Sequence, residues 1–177
     1  MMFDLAEARA ALERGPSALH ALVDGVPPTW LASRPTPDDW DAHAVVSHLV
    51  YVEESDWLVR ARMIMDVGPG TAFPPVQHGD QTARYPGVTT SALVERFATL
   101  RADNLAALDA MGIGDGELDR RGRHPTLGEV TLRQLLATWV VHDHNHIRQL
   151  QEALAAHYVT EVGPWRAFLG VLDRVTH

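Results

Sequence analysis

An all-α bundle is the fold class this sequence predicts, and three observations predict it. Four long segments carry apolar residues at the three- and four-residue spacing that gives a helix one apolar face. The chain's 177 residues, 46% hydrophobic and 21% charged, suit a single domain spanning 1–177 with a sizeable core. Residues 67–88 repeat Gly and Pro without a sustained period. They read as a loop long enough to cross a bundle and let its flanking helices run parallel.

The first helix is expected over about residues 3–25, with Leu5, Ala8, Leu12, Leu19, Leu22 and Val23 apolar and Gly15-Pro16 marking a kink or break. The connection VPPTWLASRPTP is too rich in proline to continue it. A second helix opens near Thr36, with Pro37 in its first turn and Asp38 and Asp39 complementing the positive helix end. It runs through Trp40 and His48 to about Asp66. Beyond the 67–88 loop, a third helix follows a Thr89/Thr90 cap, carries Leu93, Val94, Phe97, Leu100, Leu105 and Leu108, and ends at Met111-Gly112. Residues 118–130 allow a hairpin-like excursion around Pro125 to Gly128, short of a sheet. The fourth long helix covers about Thr131 to His157, and a short C-terminal helix covers 164–174.

Composition narrows the function. With no cysteine, there are no disulfides, thiolate ligands or cysteine nucleophile, so any metal must be held by His, Asp or Glu. All 15 basic residues are arginine, which excludes a lysine Schiff base. A net charge of -8 without a basic run argues against nucleic-acid binding, which depends on neutralising phosphates. No apolar run approaches membrane-spanning length, and MMFDLAEARAALERG is acidic and amphipathic, unlike a secretory leader. The expectation is a cytoplasmic protein with a small-molecule ligand.

The most informative stretch is TWVVHDHNHIRQLQ, residues 138–151. His142 and His146 stand one helical turn apart, with Cβ atoms about 6 Å from each other, so both imidazoles can reach one ion. They continue the apolar stripe of Leu135, Trp139, Leu150 and Ala153, which faces the core. Spacing alone leaves two readings open: buried histidines satisfied by hydrogen bonds, or metal ligands. A third candidate, His48, lies on the second helix.

The order of features resembles the DinB/YfiT-like metalloenzyme family, in its DinB_2 branch. The likeness rests on Trp40 followed by VVSHLVYVEESDWLVRAR, on His124-Pro125 through Gly128, and on TLRQLLATWVVHDHNHIRQL. It implies an up-down-down-up four-helix bundle in which one histidine of the second helix and the H-x-x-x-H pair of the fourth bind a divalent metal, zinc or nickel. Those positions are His48, His142 and His146. Three nitrogen ligands leave an open coordination position, as in catalytic sites. Relatives of the fold include transferases that use a low-molecular-weight thiol of the bacillithiol or mycothiol type, which makes metal-dependent thiol transfer to small electrophiles the first expectation. A metal-dependent hydrolase and a non-enzymatic stress-response binding module are the alternatives, and the family habit implies a homodimer.

Other polar residues carry weaker expectations. His144 lies about 200° round the helix from His142 and should face away. His43 does not share the face of His48, His78 and His124 lie in loops that could fold over the site, and His20, His157 and His177 carry no signal. Asp56 lies nearest the His48 side, Glu53 and Glu54 on other faces, and Asp143 adjoins His142; any of the four could orient a ligand imidazole, yet solvated surface charge is the default expectation for each. Arg60 and Arg62 could clamp a substrate carboxylate, against the default of a charged helix end.

Overall fold

The structure, a computed structural model, describes residues 3–77, 79–81 and 83–175. Helix α1 (Leu5–Val23) is capped by the Asp4 carboxylate, which accepts from the Glu7 N–H, and buries Ala8, Leu12, Gly15, Leu19 and Val23. It continues through Pro16. A proline there removes the N–H that would otherwise bond the Leu12 carbonyl. That carbonyl instead accepts from Arg101 Nη1 at 2.8 Å.

A single turn, α2 (Pro28–Leu31), follows in the proline-rich connection and is tied down by Trp30 Nε1, which donates to the Leu154 carbonyl. The next helix starts later than the Pro37-Asp38-Asp39 signal suggests. Thr36 and Asp39 close a turn, Thr36 Oγ1 lying 2.9 Å from Asp39, and Asp41 caps α3 (Ala42–Ser55) by accepting from Ala44 N–H. Nor is this helix continuous to Asp66. Asp56, at φ -120° and ψ -68°, breaks it, and α4 (Trp57–Asp66) resumes.

Helix α5 (Thr90–Asp109) is capped by Thr89. The excursion at 118–130 is a true antiparallel pair, a correction to the all-helical expectation: β1 (Arg121–His124) and β2 (Gly128–Thr131), in register from Arg121↔Thr131 to His124↔Gly128. The 67–88 loop bonds to it, Phe73 N–H donating to the Arg123 carbonyl at 2.8 Å beside a parallel bridge between Ala72 and Arg123. Thr131 then opens α6 (Leu132–Ala156) with a capping box completed by Gln134. The expected C-terminal α-helix is replaced by two 3-10 segments, Gly163–Phe168 and Gly170–Leu172. Gly170, between the two segments, falls within what a short apolar pattern alone would continue as one helix.

Helices α1, α3, α5 and α6 form a ring: α3 packs on α5, α5 on α1, α1 on α6 and α6 on α3. Two apolar clusters fill it, one around Leu12, Trp57, Leu105 and Trp139, the other around Leu19, Leu49, Phe97 and Leu150. Between them each helix contributes a different kind of position: Gly15 on α1, Glu53 on α3, Arg101 on α5 and Asp143 on α6. A polar layer thus divides the core, and the candidate site lies beside it. No helix among the described residues is long and apolar enough to cross a membrane.

Candidate metal centre

Helix α3 supplies His48, and α6 supplies His142 and His146. His48 and His146 are buried, and His142 is half-buried. His142 Nε2 lies 3.2 Å from His48 Nε2 and 3.1 Å from His146 Nε2, and the three donor nitrogens all fall within 4.8 Å of one another. Aromatic neighbours hold the rings: Trp40 lies 5.1 Å from His48 and 6.0 Å from His146 between centroids, and Trp57 meets His142 edge-on at 5.1 Å.

Protonation follows from burial. Desolvation pushes the His142 imidazole down to about 2, helped by the neighbouring His146, His48 and Arg101, and it also lowers His146 below its usual value. His146 Nδ1 donates to Gln149 Oε1 at 2.9 Å, which leaves its Nε2 lone pair directed at the cluster. Nitrogens about 2.0–2.1 Å from one ion stand about 3.3 Å apart in a tetrahedron and about 2.9 Å at right angles. The observed 3.1 and 3.2 Å lie between those limits. The residues fit a divalent ion.

Behind the histidines runs a network that inverts the surface-charge expectation for Glu53 and Asp143. Arg101, 1% exposed, donates through Nη2 to Glu53 Oε1 at 2.7 Å and through Nη1 to Asp143 Oδ2 at 2.6 Å. Trp139 Nε1 donates to the same Glu53 Oε1 at 2.9 Å, and Asn104 Nδ2 donates to Glu53 Oε2 at 2.8 Å. Asp143 directly follows His142, and Glu53 lies five residues after His48, so the network holds both histidine-bearing helices to α5. Arg101 was the residue sequence reasoning passed over. Its signal was present, an arginine at the core position between Phe97 and Leu105.

The remaining candidates separate cleanly. His144 is exposed, as expected, and His43 turns to Thr90, with Nδ1 3.3 Å from its hydroxyl. Glu54 meets Arg96 and the Tyr85 hydroxyl. His20 approaches Glu95, and His157 stacks on Trp30. His78 and His177 lie outside the described residues. His124, Asp56 and Arg60 are not among the clustered ligands but line a cavity of about 310 Å³ that His48 and His142 also line. Its other walls are largely apolar, from Val52, Trp57, Phe73 and Leu135. Arg60 is 8% exposed, contrary to the default of a solvated helix end, while Arg62 is exposed.

The DinB_2 family model, DinB superfamily, matches residues 11–150, which include all three histidines. The chain belongs to the DinB superfamily. Among solved structures, this DinB chain is similar to YfiT from Bacillus subtilis, described as "a probable metal-dependent hydrolase with an unusual four-helix bundle topology". The TM-score is 0.72 at 20% identity, over 88% of this chain and 90% of that one, a likeness of fold. No curated protein matches the chain.

Proposed function

We propose that this DinB-superfamily chain is a metal-dependent enzyme in which His48, His142 and His146 hold one divalent ion, zinc or nickel, beside a small-molecule pocket. The observation that carries the reading is the convergence of three imidazole nitrogens at the wall of an apolar cavity. A bound ion would supply a Lewis acid that favours the deprotonated form of an incoming nucleophile. The chain's own part is to keep the imidazoles neutral, fix their tautomers and orientation, and exclude water with Trp57, Val52 and Leu135.

Metal-dependent transfer of a low-molecular-weight thiol to a small electrophile is the reaction proposed first. A chain without cysteine must receive its thiol from a cosubstrate, of which bacillithiol and mycothiol are the types expected. Hydrolysis, with water in place of the thiol, is the second reading, and it is the activity that the description of YfiT names for that protein. A cytoplasmic location belongs to the first reading, since a thiol cosubstrate needs reducing surroundings. The homodimer remains a proposal by family likeness.

The finer topology is also an inference. His43 meets Thr90 and Glu53 meets Arg101, so α3 and α5 advance in the same direction. Arg9 meets Asp109 and His20 meets Glu95, so α1 opposes α5. His48 meets His142 and Glu53 meets Trp139, which sets α6 against α3. These contacts support a single up-down-down-up domain.

Metal content of untagged protein supplied with zinc or nickel is the first test. The parent should carry one equivalent, each of His48→Ala, His142→Ala and His146→Ala should lose it, and His144→Ala should retain it. Retention by all three ligand variants would remove the site. The loaded protein is then assayed with several small thiols against generic electrophiles, in parallel with esters and amides without thiol. Thiol-dependent turnover abolished by His142→Ala supports the transferase, and thiol-independent turnover abolished by it supports the hydrolase. Metal retention with neither activity across a broad panel favours a non-enzymatic binding module.

A further inference from the structure

We propose that Arg60 anchors a carboxylate, so that the substrate of this pocket is a small molecule with an apolar body and one monoanionic end. The assignment rests on reading the cavity beside the three histidines as the substrate site.

Arg60 is a buried cation with spare donors. Its side chain is 10% exposed, its Nε lies 2.5 Å from Asp56 Oδ1, and its guanidinium stands 5.4 Å from the centre of the Phe73 ring. Its terminal nitrogens, Nη1 and Nη2, make no hydrogen bond to any described residue. A guanidinium carries five N–H donors, and a ligand that displaces water from the cavity Arg60 lines must supply acceptors to the terminal ones. Asp56 fixes the guanidinium by one edge and leaves its outer fork for a planar partner with two oxygens, the geometry of a carboxylate.

The neighbouring polar groups are of the same kind. His124 lines the cavity, and its Nδ1 accepts from the backbone N–H groups of Thr126 and Leu127, both at 3.2 Å. The imidazole proton is therefore on Nε2, where it acts as a donor. Gln134, at the rim, uses Oε1 to accept from Thr131 N–H at 2.9 Å and so keeps its amide N–H₂ for other partners. Three donor groups thus line a cavity whose remaining surface is mostly apolar, with His48 and His142 also on its wall. Asp56 limits the charge that can be received. A dianionic phosphate would lie beside its carboxylate and be repelled, whereas a monoanion balances the guanidinium.

The test uses full-length protein stripped with a chelator, so that no carboxylate can score by binding a metal. Hexanoate, hexanamide and hexyl phosphate are titrated and followed by amide and indole ¹H–¹⁵N shifts, which include Trp57 in the cavity wall. Hexanoate should bind about tenfold or more tightly than hexanamide, and R60Q should abolish that preference. R60K keeps the charge beside Asp56 and covers the case in which R60Q does not fold; it should bind hexanoate several-fold more weakly than the parent. Three results would overturn the anchor: no carboxylate preference in the parent, a preference retained in R60Q, or affinity undiminished in R60K. Hexyl phosphate binding more tightly than hexanoate would overturn the class of anion. Nickel titration of the parent and R60Q gives an independent readout, expected to be the same for both. Failure of the parent to bind nickel would remove the metal reading and leave the carboxylate result standing.

Discussion

Arg101 brings its guanidinium to a level of the bundle where the three other long helices, α1, α3 and α6, offer it an acceptor or the room to reach one. Pro16 removes the N–H that would otherwise occupy the Leu12 carbonyl. Gly15 clears the approach, since a Cβ there would stand 3.1 Å from Asp143 Oδ2 and 3.2 Å from Arg101 Nη1. Replacing Arg101 by Met leaves Glu53 and Asp143 buried without their cation, and should destabilise the fold by about 3–5 kcal/mol in chemical denaturation. A loss under about 1 kcal/mol would mean that water or a shifted side chain takes over its role. Gly15→Ala sets two effects against each other, a helix-propensity gain of about 1 kcal/mol and overpacking of about 1–3 kcal/mol against an ion pair that cannot move freely. The expected sign is a net loss of stability, read from the same denaturation curves. Neither role of Gly15-Pro16 was legible in the sequence, because the pair signals a helix break wherever it occurs. Only the arrival of Arg101 from about ninety residues away makes it a notch. Glu53 and Asp143 were misjudged for the same reason. Acidic side chains are solvated by default, and nothing local announces that an arginine on α5 will meet them.

Among the elements, α1, α5 and α6 were legible because each has a periodic apolar face and, for α5 and α6, a threonine cap. The start of α3 was not. Pro37, Asp38 and Asp39 favour a turn as well as a first helical turn, and the structure uses them as a turn. The break at Asp56 carries neither Gly nor Pro, so the apolar spacing ran straight across it. The hairpin was only half visible, since its strands are four residues each. Its place is fixed by Gly122, where an added Cβ would stand 2.5 Å from the Phe73 ring and 2.7 Å from Ile64. Gly122→Ala should therefore destabilise the protein by about 1–3 kcal/mol and displace Phe73 from the cavity wall, which shifts in the Phe73 ring resonances would register. At the start of α6, Thr131→Ala removes one side of the capping box and should lower stability by about 1 kcal/mol. His142 and His146 lie three to four turns further on, so metal stoichiometry should be unchanged in this variant.

For the whole molecule, the buried histidines tie stability to pH. His142 has a folded value far below the 6.5 of an unfolded imidazole, so the unfolded chain binds more protons across that interval. The stabilisation from burying the neutral ring is fully present above about pH 6.5 and is lost as pH falls toward the folded value, at up to about 1.4 kcal/mol per unit for one such group. The metal-free protein should accordingly melt at a lower temperature at pH 5 than at pH 7.5, with the difference reduced in His142→Ala. A melting temperature independent of pH over that range would contradict a neutral buried cluster. Zinc or nickel, binding the folded state alone, should raise the midpoint with concentration at neutral pH.

His48 and His142 are 94 positions apart along the chain. An ion shared between them would be a reversible staple, closing a loop of nearly a hundred residues in the folded state of a protein that has no cysteine with which to make a disulfide. Closing a loop of that size costs chain entropy whenever the protein folds, and an ion that binds only the folded state offsets that cost through its own binding free energy. Because the ion leaves when the site unfolds, the disordered chain would stay unrestricted, and the staple would tighten with free metal concentration and be undone by a chelator.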